Sequence, residues 1–205
     1  MERRQEVSAL VEAVVANIEA GRAVERPFFH LELDRVFPEG VYARMIAAMP
    51  AAADYRALPG RNKGNIRPDG TSTRVKIDLF PEYIRHLAAE KLGIWDVVGR
   101  ALCSAEVQAA FVRRLAPGLE RRFGKDYAAV GMYPIPVLTR DIPGYRITPH
   151  TDTRWKGITV QLYLPRDASA MHVGTVFHDR AGDGPLRRAT QMKFAPNSGY
   201  AFAVG

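Results

Sequence analysis

Apolar side chains recur at Val7, Leu10, Val11, Val14, Val15 and Ile18. This is the i, i+3, i+4, i+7 spacing of a helix with one buried stripe, and Gly21 follows where such a helix would be capped. Residues 27–33 read as a strand. Phe37-Pro38 then opens a helix that reaches Met49 and is stopped by Pro50. Residues 53–73 carry Pro59, Gly60, Gly64, Pro68 and Gly70 with no periodicity and read as one long loop. After a short strand over 75–80, Pro81-Glu82 starts a helical stretch to about Ala116, interrupted at Gly93 and Gly99. Within it Ser104 is placed to cap a helix on which Val107, Phe111 and Leu115 share a face. Pro117-Gly118 breaks this pattern, and residues 119–123 add one more turn.

From Tyr127 the period changes from 3.6 to 2. Strands are expected at 128–133, 137–139, 145–152, 158–164, 173–177, 191–194 and 200–204, with a turn-rich loop over 179–188. In residues 158–164 the alternation is clean: Ile158, Val160, Leu162 and Leu164 on one side, Thr159, Gln161 and Tyr163 on the other. Helices first and strands later describe an α+β chain, a single domain over 1–205 with residues 1–126 mainly helical and 127–205 forming a sandwich or barrel.

Candidate chemistry lies just before the alternating strand. His150 and Asp152 are two residues apart in an expected strand, so a period of two puts imidazole and carboxylate on the same side. Such a pair can grip one metal ion and leave its other positions open. It makes up two members of the 2-His-1-carboxylate triad that holds non-haem Fe(II). The other histidines carry less: His30 and His86 read as structural, His172 and His178 as loop or solvent-facing.

His150-Thr151-Asp152, the strand ending Tyr163-Leu164-Pro165, then Gly174-Thr175-Val176-Phe177 and the run Phe194 to Phe202 follow in an order that resembles the Fe(II)/2-oxoglutarate-dependent oxygenases, in particular the bacterial prolyl-hydroxylase-like proteins. The resemblance covers roughly residues 28–205. It implies a double-stranded β-helix (a cupin-like jelly roll) with N-terminal helices packed on one sheet. It implies Fe(II), 2-oxoglutarate and O2 as cofactor and co-substrates, with His150 and Asp152 as metal ligands. Tyr163 would bind the 2-oxoglutarate carboxylate, with Gln161 assisting from the same face. Arg140 and Arg146, near the metal segment, are candidates for substrate binding, and the loop over 53–73 would bring Arg61, Lys63 and Arg67 to the mouth. The family's distal His and its 2-oxoglutarate-binding cation would follow Gly205, so the expectation is a chain truncated before them, with the C-terminal end of the jelly roll missing.

A net charge of +7 raises nucleic acid as a partner, but the cations are spread from Arg3 to Lys193. The densest pairs, Arg113-Arg114 and Arg121-Arg122, read as solvated helix faces. The expected substrate is a small molecule or peptide rather than nucleic acid. One cysteine, Cys103, excludes an intramolecular disulfide and suits a reducing compartment. With no secretory leader or membrane-spanning run in the sequence, the expectation is a cytoplasmic protein without a membrane partner. Two other functions fit the same pattern: a non-catalytic cupin-like binding module with a relic metal site, and a nucleic-acid demethylase of the same superfamily. A zinc hydrolase would need a His-Glu-x-x-His motif or a cysteine pair, and the sequence has neither.

Overall fold

The computed structural model describes residues 1–58 and 65–205. Arg61 and Lys63 lie outside the described residues.

Helix α1 (Glu2–Glu19) buries Leu10, Val14 and Ile18, the stripe its spacing predicts. Strands β1 (Arg22–Val24) and β2 (His30–Leu33) form the first hairpin. Helix α2 (Glu39–Ala47) follows, then β3 (Arg56–Ala57) and β4 (Arg74–Asp78). Helices α3 (Pro81–Ile84), α4 (Ala89–Leu102), α5 (Ala105–Arg114) and α6 (Ala116–Phe123) come next. The Ser104 hydroxyl accepts from the Val107 amide, as a capping side chain should. Pro117 opens α6 instead of breaking it, because a proline in the first turn gives up an amide that would be unpaired anyway.

The C-terminal part supplies β5 (Val137–Asp141), β6 (Ile158–Leu162), β7 (Val176–Asp179), β8 (Arg187–Gln191) and β9 (Gly199–Ala203). All pairings between these strands are antiparallel. Four strands form the sheet β1-β2-β9-β6, three form β3-β4-β5, and β7-β8 is a separate hairpin. The main sheet thus takes two strands from near the N-terminus and two from the C-terminal part. The chain is α+β with antiparallel sheets, and no closed barrel is formed among the described residues.

One face of the main sheet is sealed by helices. Leu31 and Ala201 join α1, α4, α5 and α6 in the large core around Ile18, Trp95, Val98, Leu115 and Leu119. The other face carries a smaller cluster of Tyr163, Phe177, Met192 and Tyr200 with Phe28, Phe194 and Phe202 against it. The β7-β8 hairpin covers this second face: the Phe177 ring lies 4.7 Å from Phe28, 5.1 Å from His30 and 5.1 Å from Tyr200. Gly174 lets the hairpin close, since a Cβ there would fall 1.6 Å from the Met192 carbonyl oxygen. Asn197 ties β9 to the segment before α2 from a left-handed conformation that Asn tolerates. Its side chain accepts from the Phe37 amide at 2.8 Å and donates to the Phe37 carbonyl at 2.7 Å.

Three expected strands are not strands; of residues 191–194 only Gln191, the last residue of β8, lies in one. Residues 128–133 form a 3-10 turn (Tyr127–Ala129) and then irregular chain. Residues 145–152 run outside any sheet. Gly144, at φ +101°, turns the chain away from β4 after Ile142 has paired with Thr73. Pro149 removes an amide, and the Arg146 amide finds the Asn65 side chain instead of a neighbouring strand. The residues expected to start the strand at 173 form a 3-10 stretch (Ala168–Val173), and the turn-rich segment after 179 is the β7-β8 turn.

Candidate functional site

His150 and Asp152 sit on the irregular segment between β5 and β6. His150 is exposed, and its Nδ1 lies 2.8 Å from the Thr148 carbonyl oxygen. A carbonyl can only accept, so Nδ1 carries the proton and Nε2 keeps a free lone pair. This is the tautomer that a metal-binding imidazole adopts when its other nitrogen donates to a backbone carbonyl.

Asp152 is half-buried, and both its oxygens are held. Lys156 Nζ lies 2.9 Å from Oδ1, and the Thr159 hydroxyl, on β6, donates to Oδ2. Burial alone would raise the carboxyl pKa. The Thr159 and Lys156 hydrogen bonds, with the charge of Lys156 and, when its ring is protonated, that of His150, outweigh it and hold Asp152 below the usual carboxylate value. Asp152 is therefore an anion at neutral pH, fixed to the edge of the main sheet through Thr159, with His150 near enough to act on it electrostatically.

Gln161 and Tyr163 lie on the polar side of β6, as the alternation requires. The register aligns Arg22, Glu32, Tyr200 and Gln161 across the four strands, one residue from each. Tyr163 is buried. Its hydroxyl donates to Thr175 Oγ1 at 2.8 Å and accepts from the Thr175 amide at 3.0 Å, while Tyr200 donates to the same Thr175 oxygen at 3.0 Å. Burial raises both phenols, Tyr200 far above the ordinary tyrosine value. Tyr163 thus spends its hydrogen bonds fixing the start of β7, while Gln161 makes only a long contact with the Leu162 carbonyl, 3.5 Å.

Arg140 and Arg146 are both exposed. Arg67 is tied by the Pro143 carbonyl at 2.9 Å, next to the start of the His150 segment. Besides Lys156, a cation that the sequence did not single out lies against Tyr145, at the start of the His150 segment. Arg74, on β4, forms a forked pair with Asp141 at 2.5 and 2.7 Å and stacks 4.1 Å from the centre of the Tyr145 ring. Only the β4-β5 pairing, which sets Arg74 opposite Asp141, makes this visible. The Asp152 charge adds to the upward shift of Tyr200.

His30 is fully buried on the aromatic face. Its Nδ1 donates to the Phe28 carbonyl at 2.7 Å, and its Nε2 has no hydrogen-bond partner among the described residues. Glu32 Oε1 is 3.7 Å away, while the other oxygen of that carboxylate, Oε2, is paired with Arg22.

The donor chemistry at His150 and Asp152, one imidazole nitrogen and one carboxylate, suits Fe(II). Each carboxylate oxygen has a second lone pair beyond its present hydrogen bond. The two residues thus fit as part of a donor set, although a divalent ion would have to share Asp152 with the Lys156 ammonium. No group of three His, Cys, Asp or Glu side chains placed to hold a metal occurs among the described residues. No helix among them is long and apolar enough to cross a membrane. Comparison with protein-family models, with curated proteins and with solved structures found no match.

Proposed function

We propose that this chain is a jelly-roll Fe(II)- and 2-oxoglutarate-dependent dioxygenase acting on a small-molecule or peptidyl substrate. One observation carries the reading. At the end of β6, beside a sheet face of aromatic and polar side chains, an imidazole with a free Nε2 stands near a carboxylate that its neighbours keep ionised. A β7-β8 hairpin packed over that face supports the jelly-roll form of the fold.

His150 and Asp152 would hold the ferrous ion. Bound there, the metal would supply the activation of O2 that couples oxidative decarboxylation of 2-oxoglutarate to oxidation of a substrate C–H bond. The protein's own part is to hold these two donors in place. Thr159 and Lys156 keep the Asp152 carboxylate charged and oriented, and Thr148 fixes the His150 ring by its tautomer. Gln161 offers an amide on the same sheet face. The Arg74–Asp141 pair on the β3-β4-β5 sheet, with Tyr145 stacked on it, would form a polar rim suited to a substrate with polar groups. The rings of Phe28, Phe177 and Phe202 keep water from the deep end of that face.

The test is anaerobic Fe(II) binding, followed by succinate formation when 2-oxoglutarate and O2 are added. His150→Ala and Asp152→Ala should each weaken Fe(II) binding by more than about tenfold. Equal affinity in the parent and both variants would remove the pair from the mechanism. The Lys156–Asp152 ion pair favours a second reading, a binding module in which the ammonium already neutralises the carboxylate. That reading predicts no Fe(II) binding by the parent protein.

A further inference from the structure

Arg122 is the last-turn residue of α6 whose guanidinium reaches into the backbone of the candidate site. Its Nη1 donates to the Lys156 carbonyl and, at 2.5 Å, to the Val204 carbonyl; its Nη2 donates to the Arg154 carbonyl at 2.5 Å. One planar cation thus holds three carbonyl oxygens, two of them from the tight turn between Asp152 and β6. The guanidinium also lies over the Phe123 ring, 4.5 Å from its centre. The approach is set by the helix: Gly118, four residues earlier on the same helix face, lies where a Cβ would sit 2.9 Å from the Ala203 Cβ. α6 therefore runs against β9, and the next turn brings Arg122 to the end of that strand and to the turn beyond it.

We infer that Arg122 is a positioning residue for the candidate metal site. It clamps the 153–157 turn, and so fixes Lys156 and, through Lys156 Nζ, the Asp152 carboxylate. A charged donor binding carbonyls makes shorter and stronger hydrogen bonds than a neutral one. A guanidinium spreads its donors over a rigid planar fork and so can reach carbonyls on two separate segments, whereas a lysine's three donors all radiate from one nitrogen. The inference rests on the metal reading of His150 and Asp152, but the clamp itself can be tested apart from it.

The experiment compares the parent with Arg122→Gln and Arg122→Lys by amide hydrogen exchange and by anaerobic Fe(II) binding, with unfolding followed to check the fold. In Arg122→Gln, exchange should quicken across residues 153–157 while the amides of α4 and α5 keep their protection. Fe(II) affinity should fall by about tenfold, with Arg122→Lys intermediate in both readouts. Should Arg122→Gln fail to fold, Arg122→Lys decides alone. Unchanged exchange over 153–157 would overturn the clamp. A loosened turn with parental Fe(II) affinity would overturn its link to the site. Absence of Fe(II) binding by the parent would instead defeat the metal reading and with it the positioning role, while the exchange arm still judges the clamp.

Discussion

The two faces of the main sheet are built from the same strands and stabilised in opposite ways. On one side the register lines up Ala23, Leu31, Ala201 and Val160; on the other, Arg22, Glu32, Tyr200 and Gln161. Helices cover the centre of the first face, where Leu31 and Ala201 are wholly buried, and leave Val160 and Ala23 on its outer strands exposed. Its stability comes from area removed from water, which is indifferent to direction. The second face is aromatic with polar tips, and each buried hydroxyl has a named partner, as Tyr163 and Tyr200 have in Thr175. The buried hydroxyls there are tolerated because they are paired, while His30 Nε2 is a buried polar atom on the same face without a partner among the described residues. The apolar face therefore sets the fold, while the other can carry chemistry.

Three substitutions put that contrast to the test. Trp95→Ala should cost the most, about 3–5 kcal/mol in denaturant unfolding, because it empties a fully buried site in the helical core and strands the Ala48 carbonyl that the indole N–H now serves at 2.8 Å. Tyr163→Phe keeps nearly all the buried area and should cost only about 1–2 kcal/mol, the price of leaving the Thr175 amide without its acceptor. If the two losses were equal, the difference drawn between the faces would fail. The smallest effect belongs to the β3-β4-β5 sheet, and its signature is a dependence on pH. Asp78 is nearly buried; burial raises its pKa, but Lys76 and Arg56 outweigh this and hold it below the ordinary value. A carboxyl lowered on folding stabilises the native state above its unfolded pKa of about 3.9, and that stability is lost as pH falls through the lower folded value. Asp78→Asn should flatten the acid limb of the stability curve below about pH 4 and leave its shape near neutrality unchanged. An acid limb identical to the parent's would show that the ion pairs contribute nothing.

Much of the scaffold could be read along the chain. The stripes of α1 and α5, the Ser104 cap and the alternation of β6 are local patterns, and each appears where its spacing put it. Residues 145–152 were misread as a strand because alternation says which way side chains would point in a strand, not whether a partner strand is there. Gly144 and Pro149 take that partner away. His150 and Asp152 could still be singled out, since a nitrogen and a carboxylate two residues apart stay close in an extended chain with or without a sheet. Arg74 could not be found this way. Its importance depends on Asp141, sixty-seven residues away, and on the Tyr145 ring.

Arg121 and Arg122 mark the limit most clearly. The sequence showed a basic helical turn over 119–123, but in it Pro117 read as a break, whereas the helix starts at Ala116 with that proline in its first turn, buries Leu119 and ends before Gly124 at φ +78°. It also determined which chemical groups were available, two guanidiniums side by side. Which of them would lie on solvent and which would grip Arg154, Lys156 and Val204 was decided only when α6 packed on β9. Helical periodicity fixes the angle between neighbours, about 100°, but the direction of the buried stripe in space is set by what the helix packs against.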